Sequence, residues 1–534
     1  MNDLYINANN PIQHRKVYLI GGGIASLASA AYFIKDGQIN PANITIYEEL
    51  NIAGGSLDGS GSPEDGYVMR GGRMLNFSYL CTYDLFSFIP SLADPGITVL
   101  DEIKAFNQNL KTHSLARLVE GGQILDVSSM GFSNKDRLDL IEIMAVSESH
   151  LGTRRINEWF EPEFFKTNFW FMWDTMFAFQ PWHSAVEFKR YLHRFIHEFK
   201  RINTLAGVDR TPYNQFDSLA KPLIEWLKQR GVQFEMGVRV TDLDFSLTGE
   251  KKTVEQIQLV KDGQKKSINI RVNDMVLVTI GSMTADSSLG SMHSAPLLIS
   301  DKRDGCWQLW ETIAKKSEQF GHPAVFDNRV DESKWESFTV TCQGTKFFAL
   351  MEEFSGNKAG TGGLVTFKDS NWLMSIVLAF QPHFIGQPDN VTVFWGYGLY
   401  PDKAGNFVKK KMSDCTGTEI LTELFTHLEF DEFIDELLKA SNCIPCMLPY
   451  ITSQFLTRAP GDRPQVIPEI SENLAFIGQF AEVPDDVVFT VEYSVRTAQT
   501  AVYGLLELDK KPIPLYKGDH HIDVLFDALK TTLT

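Results

Sequence analysis

Residues 17–34, VYLIGGGIASLASAAYFI, are apolar almost throughout, but three consecutive glycines interrupt them. Four apolar residues, the glycines and then small residues at helical spacing predict a buried strand, a tight turn and a helix that closes at Gly37. A membrane span needs about 20 predominantly apolar residues, and the glycines, the small polar residues and the following Lys35-Asp36 fit the strand–turn–helix unit better. NITIYEEL (43–50) reads as a second strand, so residues 16–50 make one βαβ unit.

Further along, apolar positions recur at helical spacing from about 135 to 205. NKDRLDLIEIMAVSES (134–149) and SAVEFKRYLHRFIHEF (184–199) are predicted as long amphipathic helices. FDSLAKPLIEWLKQRG (216–231) predicts a helix stopped at Gly231, and GVQFEMGVRVTDL (231–243) a strand after it. DMVLVTIG (274–281) and NLAFIGQF (473–480) read as buried strands, and EYSVRTAQTAVYGLLEL (492–508) as a helix. Between about 300 and 460, strands such as NVTVFWGYGLY are mixed with helices such as EILTELFTHLEF, and no internal repeat is found.

The 534 residues are too many for one simple core, and 43% hydrophobic content supplies a large interior. The 38 phenylalanines fit either a wide space for an apolar ligand or simply a big core. A net charge of −17 argues against nucleic acid, whose binding rests on many Lys/Arg–phosphate contacts. It leaves peripheral membrane contact through a local basic patch open. Six cysteines form no disulfide framework, and Cys443-Ile-Pro-Cys446, which does not open a helix after a strand, reads as two buried thiols rather than a redox pair. The polar N-terminus has no secretory pattern, which points to a soluble cytoplasmic protein. His193 and His197 stand at zinc-binding spacing without a third ligand, so no metal is expected. His183 reads either as a neighbour supporting Tyr191 or as a core histidine.

Gly21-Gly22-Gly23-Ile24-Ala25-Ser26 closes the first strand and opens the helix, matching the dinucleotide fingerprint with Ser26 at its last position. Gly21 permits the turn, Gly23 lets backbone approach a pyrophosphate, and the helix N-terminus favours the anion. Glu48, twenty-two residues after Ser26, is placed to hold ribose hydroxyls, with Glu49 beside it. GGSLDG (54–59, with Gly55 and Ser56) and RGGR (Arg70, Gly71, Gly72, Arg73) look like the extra loops that flavoproteins set around the cofactor, which favours FAD over NAD. Val240, on the strand of 231–243, Ser282, just after the strand of 274–281, and Phe489, ahead of the helix of 492–508, complete the expected cofactor contacts. The fold class is therefore α/β, with a discontinuous Rossmann-like FAD-binding domain in three parts (12–105, 211–300 and 461–510). A mainly helical substrate or lid region (106–210), a mixed α+β substrate domain (301–460) and a short helical C-terminus (511–534) account for the rest.

The chain resembles the oleate hydratases, the FAD-dependent fatty acid hydratases also called myosin-cross-reactive antigens, over roughly residues 15–510. The likeness rests on NIAGGSLDG, NFWFMWDTMFAFQPWHSAVEFKRYLHRFIH, YNQFDS, VTIGSMTADS, QPHF, WGYGLYPDKAGNFVKKKM, PYITSQFLTRAPGDRP and FTVEYSVRTAQTAVY. The resemblance implies addition of water across a cis double bond of a free unsaturated fatty acid, with FAD needed but no net redox change, in a monomer or homodimer. It puts the proton-donating tyrosine at Tyr191 and the carboxylate-holding residues at Gln215 and His383. Five positions depart from the pattern: the water-activating glutamate is Met74, and a threonine and an asparagine of the head-group clamp are Val377 and Ala379. Asn76 and Ser78 replace a further acid and a histidine. A double-bond isomerase, a flavin-dependent lipid oxidoreductase and a non-catalytic FAD and fatty-acid carrier are the alternatives.

Overall fold

The computed structural model describes residues 14–72, 74–248 and 250–533, so Arg73 of the RGGR turn lies outside the described residues. A five-stranded parallel sheet runs in the order Leu474–Ile477, Met275–Thr279, Val17–Ile20, Ile44–Glu48, Gln233–Met236. Val17 lies opposite both Met275 and Ile44, so the first strand is central. Its four residues are buried, as expected for a parallel strand covered on both faces. The helix Ile24–Lys35 packs against the helix Val491–Leu505. Gly37 lets the chain turn close to Leu506; a Cβ at this glycine would lie 2.5 Å from the Leu506 Cδ1.

The single strand expected over 231–243 is two. Gly237 (φ +66°) ends the parallel edge strand, and Val238–Thr248 begins a three-stranded antiparallel meander with Lys251–Lys261 and Gln264–Asn269. Only glycine adopts that backbone without cost, so the chain changes sheets there.

An eight-stranded mixed sheet has the order Ser288–Leu289, Ser441–Leu448, Trp335–Gln343, Val391–Gly398, Met374–Val377, Leu364–Phe367, Leu118–Glu120, Gln123–Ile124. It thus takes two short strands, Leu118–Glu120 and Gln123–Ile124, from the 106–210 region expected to be mainly helical. Helices Lys346–Ser355 and Gly417–His427 cover one face, where Phe347 stacks on Phe394 at 4.5 Å. The hairpin strand Gly66–Met69 docks on this sheet, its Tyr67 and Met69 amides donating to the Thr341 and Thr339 hydroxyls at 2.8 and 3.0 Å. Cys443 and Cys446 both sit within the strand Ser441–Leu448 as free buried thiols whose pKa burial pushes up, so neither is activated.

The helix expected over 184–199 is interrupted. It runs Ala185–Arg194, capped by Ser184, and at Phe195 passes into a 3₁₀ segment, Ile196–Arg201. The break separates the two histidines: His193 faces Asp519 at 2.8 Å, and His197 faces Asn76 at 3.2 Å. Among the described residues no three ligating side chains gather for a metal.

A buried ionic network fastens the helix Ala185–Arg194 to the segment before the helix Val491–Leu505. Glu187 meets Arg463 at 3.0 Å and Arg458 at 3.2 Å. Glu482 meets Arg190 and Arg458, each at 2.9 Å, and Arg190 also holds Glu148 at 2.7 Å. Burial raises the Glu482 pKa, but Arg458, Arg463 and Arg190 outweigh it and hold the carboxyl at about 2. An unfolded glutamate titrates near 4.3, so this contribution is complete above about pH 4.5 and is lost as the pH falls towards 2. Glu482→Gln is expected to cost roughly 3–5 kcal/mol at neutral pH, because it leaves buried arginine charge unpaired. Thermal unfolding against pH should show a lower midpoint and a flatter acid limb than in the unsubstituted chain; an unchanged midpoint would contradict the role given to the network.

Candidate functional site

Two cavities meet at a shared wall. The first lies at the carboxyl ends of the parallel strands. There Gly21 (φ +94°) turns the chain and its amide donates to the Tyr47 carbonyl at 2.8 Å. The Gly22 amide donates to Glu48 Oε2 at 2.6 Å, and the Leu50 amide to Oε1 at 2.8 Å. Burial raises the Glu48 pKa, with those amides working against it. Gly23 caps the helix Ile24–Lys35 without a side-chain hydrogen bond, which leaves the first amides free for an anion. Gly55 lies flat on this turn: a Cβ there would come within 2.9 Å of the Gly23 Cα.

Gly21, Gly23, Ile24, Ala25, Glu48, Glu49, Gly55, Ser56, Arg70, Val240 and Ser282 all line this cleft. Arg70 is locked by Asp58 and the Gly55 carbonyl, each at 2.9 Å, and by the Thr284 carbonyl at 3.0 Å. Glu49 accepts from the Gly305 amide at 2.8 Å and pairs with Arg239. Ser26 stands behind the cleft, fully buried, its hydroxyl 3.2 Å from Thr279 Oγ1. A glycine-walled cradle, a free helix N-terminus and a carboxylate at the next strand end fit the pyrophosphate and ribose of a dinucleotide.

The second cavity lies between the eight-stranded sheet and the helical layer. Gly71 and Gly72, expected beside the cofactor, line this cavity, while Arg70 faces the first, so residues 69–72 are part of the wall between them. Phe489 also lines the second cavity. Tyr191, Met74, Gln215 and His383, which come from four distant stretches of chain, line it together. So do Val377 and Ala379, while Trp335, Trp395 and Tyr397 form an aromatic wall.

Tyr191 is 1% exposed, and its hydroxyl donates to the Val488 carbonyl at 2.5 Å. Phe177 and Phe179 stand with their ring centres 5.0 Å away. No aspartate or glutamate is among the described residues lining the cavity. Asn76 and Ser78 do not supply one: Asn76 binds Glu198 at 2.7 Å, and Ser78 accepts from Arg194 at 2.7 Å. His183 is a core histidine. It accepts from the Gln180 amide at 3.0 Å, burial pushes its pKa down to about 3, and it is not among the residues lining the cavity.

Two lining residues escaped the sequence reading. Tyr79, five residues after Met74, presents a hydroxyl for which the described residues offer no hydrogen bond. Arg210 is the only lysine or arginine among the described lining residues. Its position five residues before Gln215 was the available signal.

The profile of the MCRA family matches residues 14–503. An oleate hydratase of Streptococcus pyogenes serotype M49 (strain NZ131) is 40% identical over 506 residues, covering 93% of this chain and 86% of that protein. A linoleate hydratase of Lactiplantibacillus plantarum is 34% identical over 529 residues, covering 91% of this chain and 93% of that protein. Among solved structures, a cyclohexylamine oxidase from Brevibacterium oxydans IH-35A superposes with a TM-score of 0.51 at 12% identity, covering 92% of this chain and 99% of that one. An oxidoreductase from Methanosarcina mazei reaches 0.50 at 12% identity, covering 92% and 100%. These two support the fold alone. Among the described residues no helix is long and apolar enough to cross a membrane.

His383 reports on the polarity of the cavity. Its Nδ1 is buried without a partner, and burial pushes the ring's pKa down to about 4. An unfolded histidine titrates near 6.5, so the neutral ring is favoured and stability falls as the pH drops from about 6.5 towards 4. The His383 ring signal in an NMR titration should stay neutral at pH 6; a midpoint at or above 6.5 would show a wet, polar cavity instead.

Proposed function

The chain belongs to the MCRA family, and from that membership we propose that it is an FAD-bearing hydratase that adds water across a cis double bond of a free unsaturated fatty acid. The observation that carries this reading is the gathering of Tyr191, Met74, Gln215 and His383 around one apolar cavity that shares a wall with the dinucleotide cleft. In this reading Gly21, Gly23 and Gly55 hold the pyrophosphate and Glu48 the ribose. When bound, the flavin supplies a flat polar wall and takes no net electrons.

Hydrating an isolated alkene requires a carbocation-like state, in which one alkene carbon gains a proton before oxygen bonds to the other. Tyr191 is the proton donor. Its hydroxyl, tied to the Val488 carbonyl in the structure, turns to the alkene once the acyl chain is seated. A phenol is a weak acid, with a pKa near 10, so the burden falls on positioning and on a dry site. Methionine accepts no proton from water. At position 74 it extends the apolar wall, and attack relies on a water held by backbone or hydroxyl oxygen. After attack the oxonium proton passes to the Tyr191 phenolate, directly or through a relaying water, which resets the donor.

Incubation with oleate should yield a product heavier by one water. An unchanged mass with a moved double bond would replace this reading with isomerisation, a loss of hydrogen with an oxidase, and bound, unaltered lipid with a carrier. Tyr191→Phe should lower turnover by roughly 10²–10⁴-fold while the flavin absorbance of the purified protein stays; full activity would remove Tyr191 from the chemistry. Met74→Glu should raise the hydration rate, measured as hydroxy acid formed per minute, and an unchanged rate would mean another group already orients the water.

A further inference from the structure

Arg210 makes no direct ion pair among the described residues, though the neighbouring Asp209 charge acts on it from a distance. Its Nε donates to Thr112 Oγ1 at 3.0 Å and its Nη2 to the Leu110 carbonyl at 3.3 Å, while its backbone amide is held by Asn107 Oδ1 at 2.8 Å. Those bonds fix one side of the guanidinium and leave Nη1 without a hydrogen bond among the described residues. No carboxylate pairs with it. The adjacent Asp209 carboxylate accepts from the Tyr83 hydroxyl at 2.9 Å instead. The side chain lies against the Phe106 ring at 6.0 Å. Burial pulls its pKa down to about 10, which still leaves it charged at neutral pH.

Besides Arg210, the described lining residues offer neutral polar groups from Thr211, Gln215 and His383 but no second lysine or arginine. Val377, Leu378, Ala379 and Phe380 are apolar, and no acidic side chain is among the described lining residues. Desolvating a guanidinium costs free energy; the Thr112 and Leu110 hydrogen bonds and the Asp209 charge offset part of it, and a bound anion would offset more. A carboxylate suits it, because charge-assisted hydrogen bonds to arginine are short and strong and the fork geometry matches two oxygens.

We propose that Arg210 is the charge anchor of this cavity, binding the carboxylate of a long-chain free fatty acid and so setting the site's preference for free acids over esters and alcohols. The inference rests on the hydratase reading for the acyl chain but not for the chemistry. Gln215 and His383, on the same cavity, then orient the head group as neutral partners, while Arg210 supplies the charge.

Stearate has no double bond, so its binding can be measured without turnover. Calorimetry on the flavin-loaded full chain should show stearate binding roughly 10–100-fold tighter than methyl stearate, the worth of one to two charge-assisted hydrogen bonds. Arg210→Gln should weaken stearate by a similar factor, leave methyl stearate nearly unchanged and so erase the preference; Arg210→Lys should retain part of it. Equal affinity of the unsubstituted chain for acid and ester would overturn the proposal, and needs no variant to fold. A glutamine variant that weakens both ligands alike would also overturn it, by reducing Arg210 to a structural role. If oleate gains no water but the acid preference and its loss in Arg210→Gln are both seen, the anchor stands and the hydratase reading falls.

Discussion

The bond between the Tyr191 hydroxyl and the Val488 carbonyl is where the two halves of the site are joined. It requires the helix Ala185–Arg194 and the loop before the helix Val491–Leu505 to meet at one atom pair. The next residue, Phe489, has φ +69°, a backbone state that costs an aromatic residue roughly 1–3 kcal/mol. That turn aims the Val488 carbonyl at Tyr191 while the Phe489 side chain faces the second cavity. Gln479 holds the turn, its amide donating to the Thr490 carbonyl at 2.9 Å and to Ser494 at 2.8 Å. Gln479 and Ser494 also line the dinucleotide cleft, so one side chain braces the walls of both cavities.

A strained turn of this kind persists only when its surroundings over-determine it. Glu187, Arg190, Arg458, Arg463 and Glu482 do so on one side. Arg194, Asp486, Arg496 and Glu492 continue the arrangement on the other, with Arg496 reaching Asp486 at 2.8 Å and Glu492 at 2.9 Å. Glu492 then accepts from the Cys81 and Thr82 amides at 3.0 and 2.8 Å, which fixes the helix following Tyr79. The charges hold the helix, the loop and the Tyr79 segment in register around a cavity whose described lining residues include one arginine, Arg210.

The chemistry follows from that division. Charge is concentrated behind the site, and the cavity surface is aromatic and aliphatic. A cavity without a carboxylate suits an acyl chain and strengthens whatever electrostatic contacts remain, because little water screens them. Under the proposed reading it would also give up general-base help from position 74. Under the proposed hydratase reading, catalysis would depend on a buried phenol and on geometry, and the Tyr191–Val488 junction would matter more than any one lining residue.

Local patterns carried the nucleotide cleft. The glycine turn, the helix after it and the acid at the end of Ile44–Glu48 are fixed within thirty residues by backbone freedom and alternating burial, and they needed no tertiary information. The likeness of Tyr191, Gln215 and His383 to known family positions was legible because each sits in its own short motif. What only the folded chain decided lies in long-range placement. The break at Phe195, the change of sheet at Gly237 and the turning of Gly71 and Gly72 into the second cavity depend on neighbours from distant segments. Arg210 and Tyr79 are ordinary residues in sequence. Whether their polar groups find partners is set by what packs beside them, and no local periodicity records that.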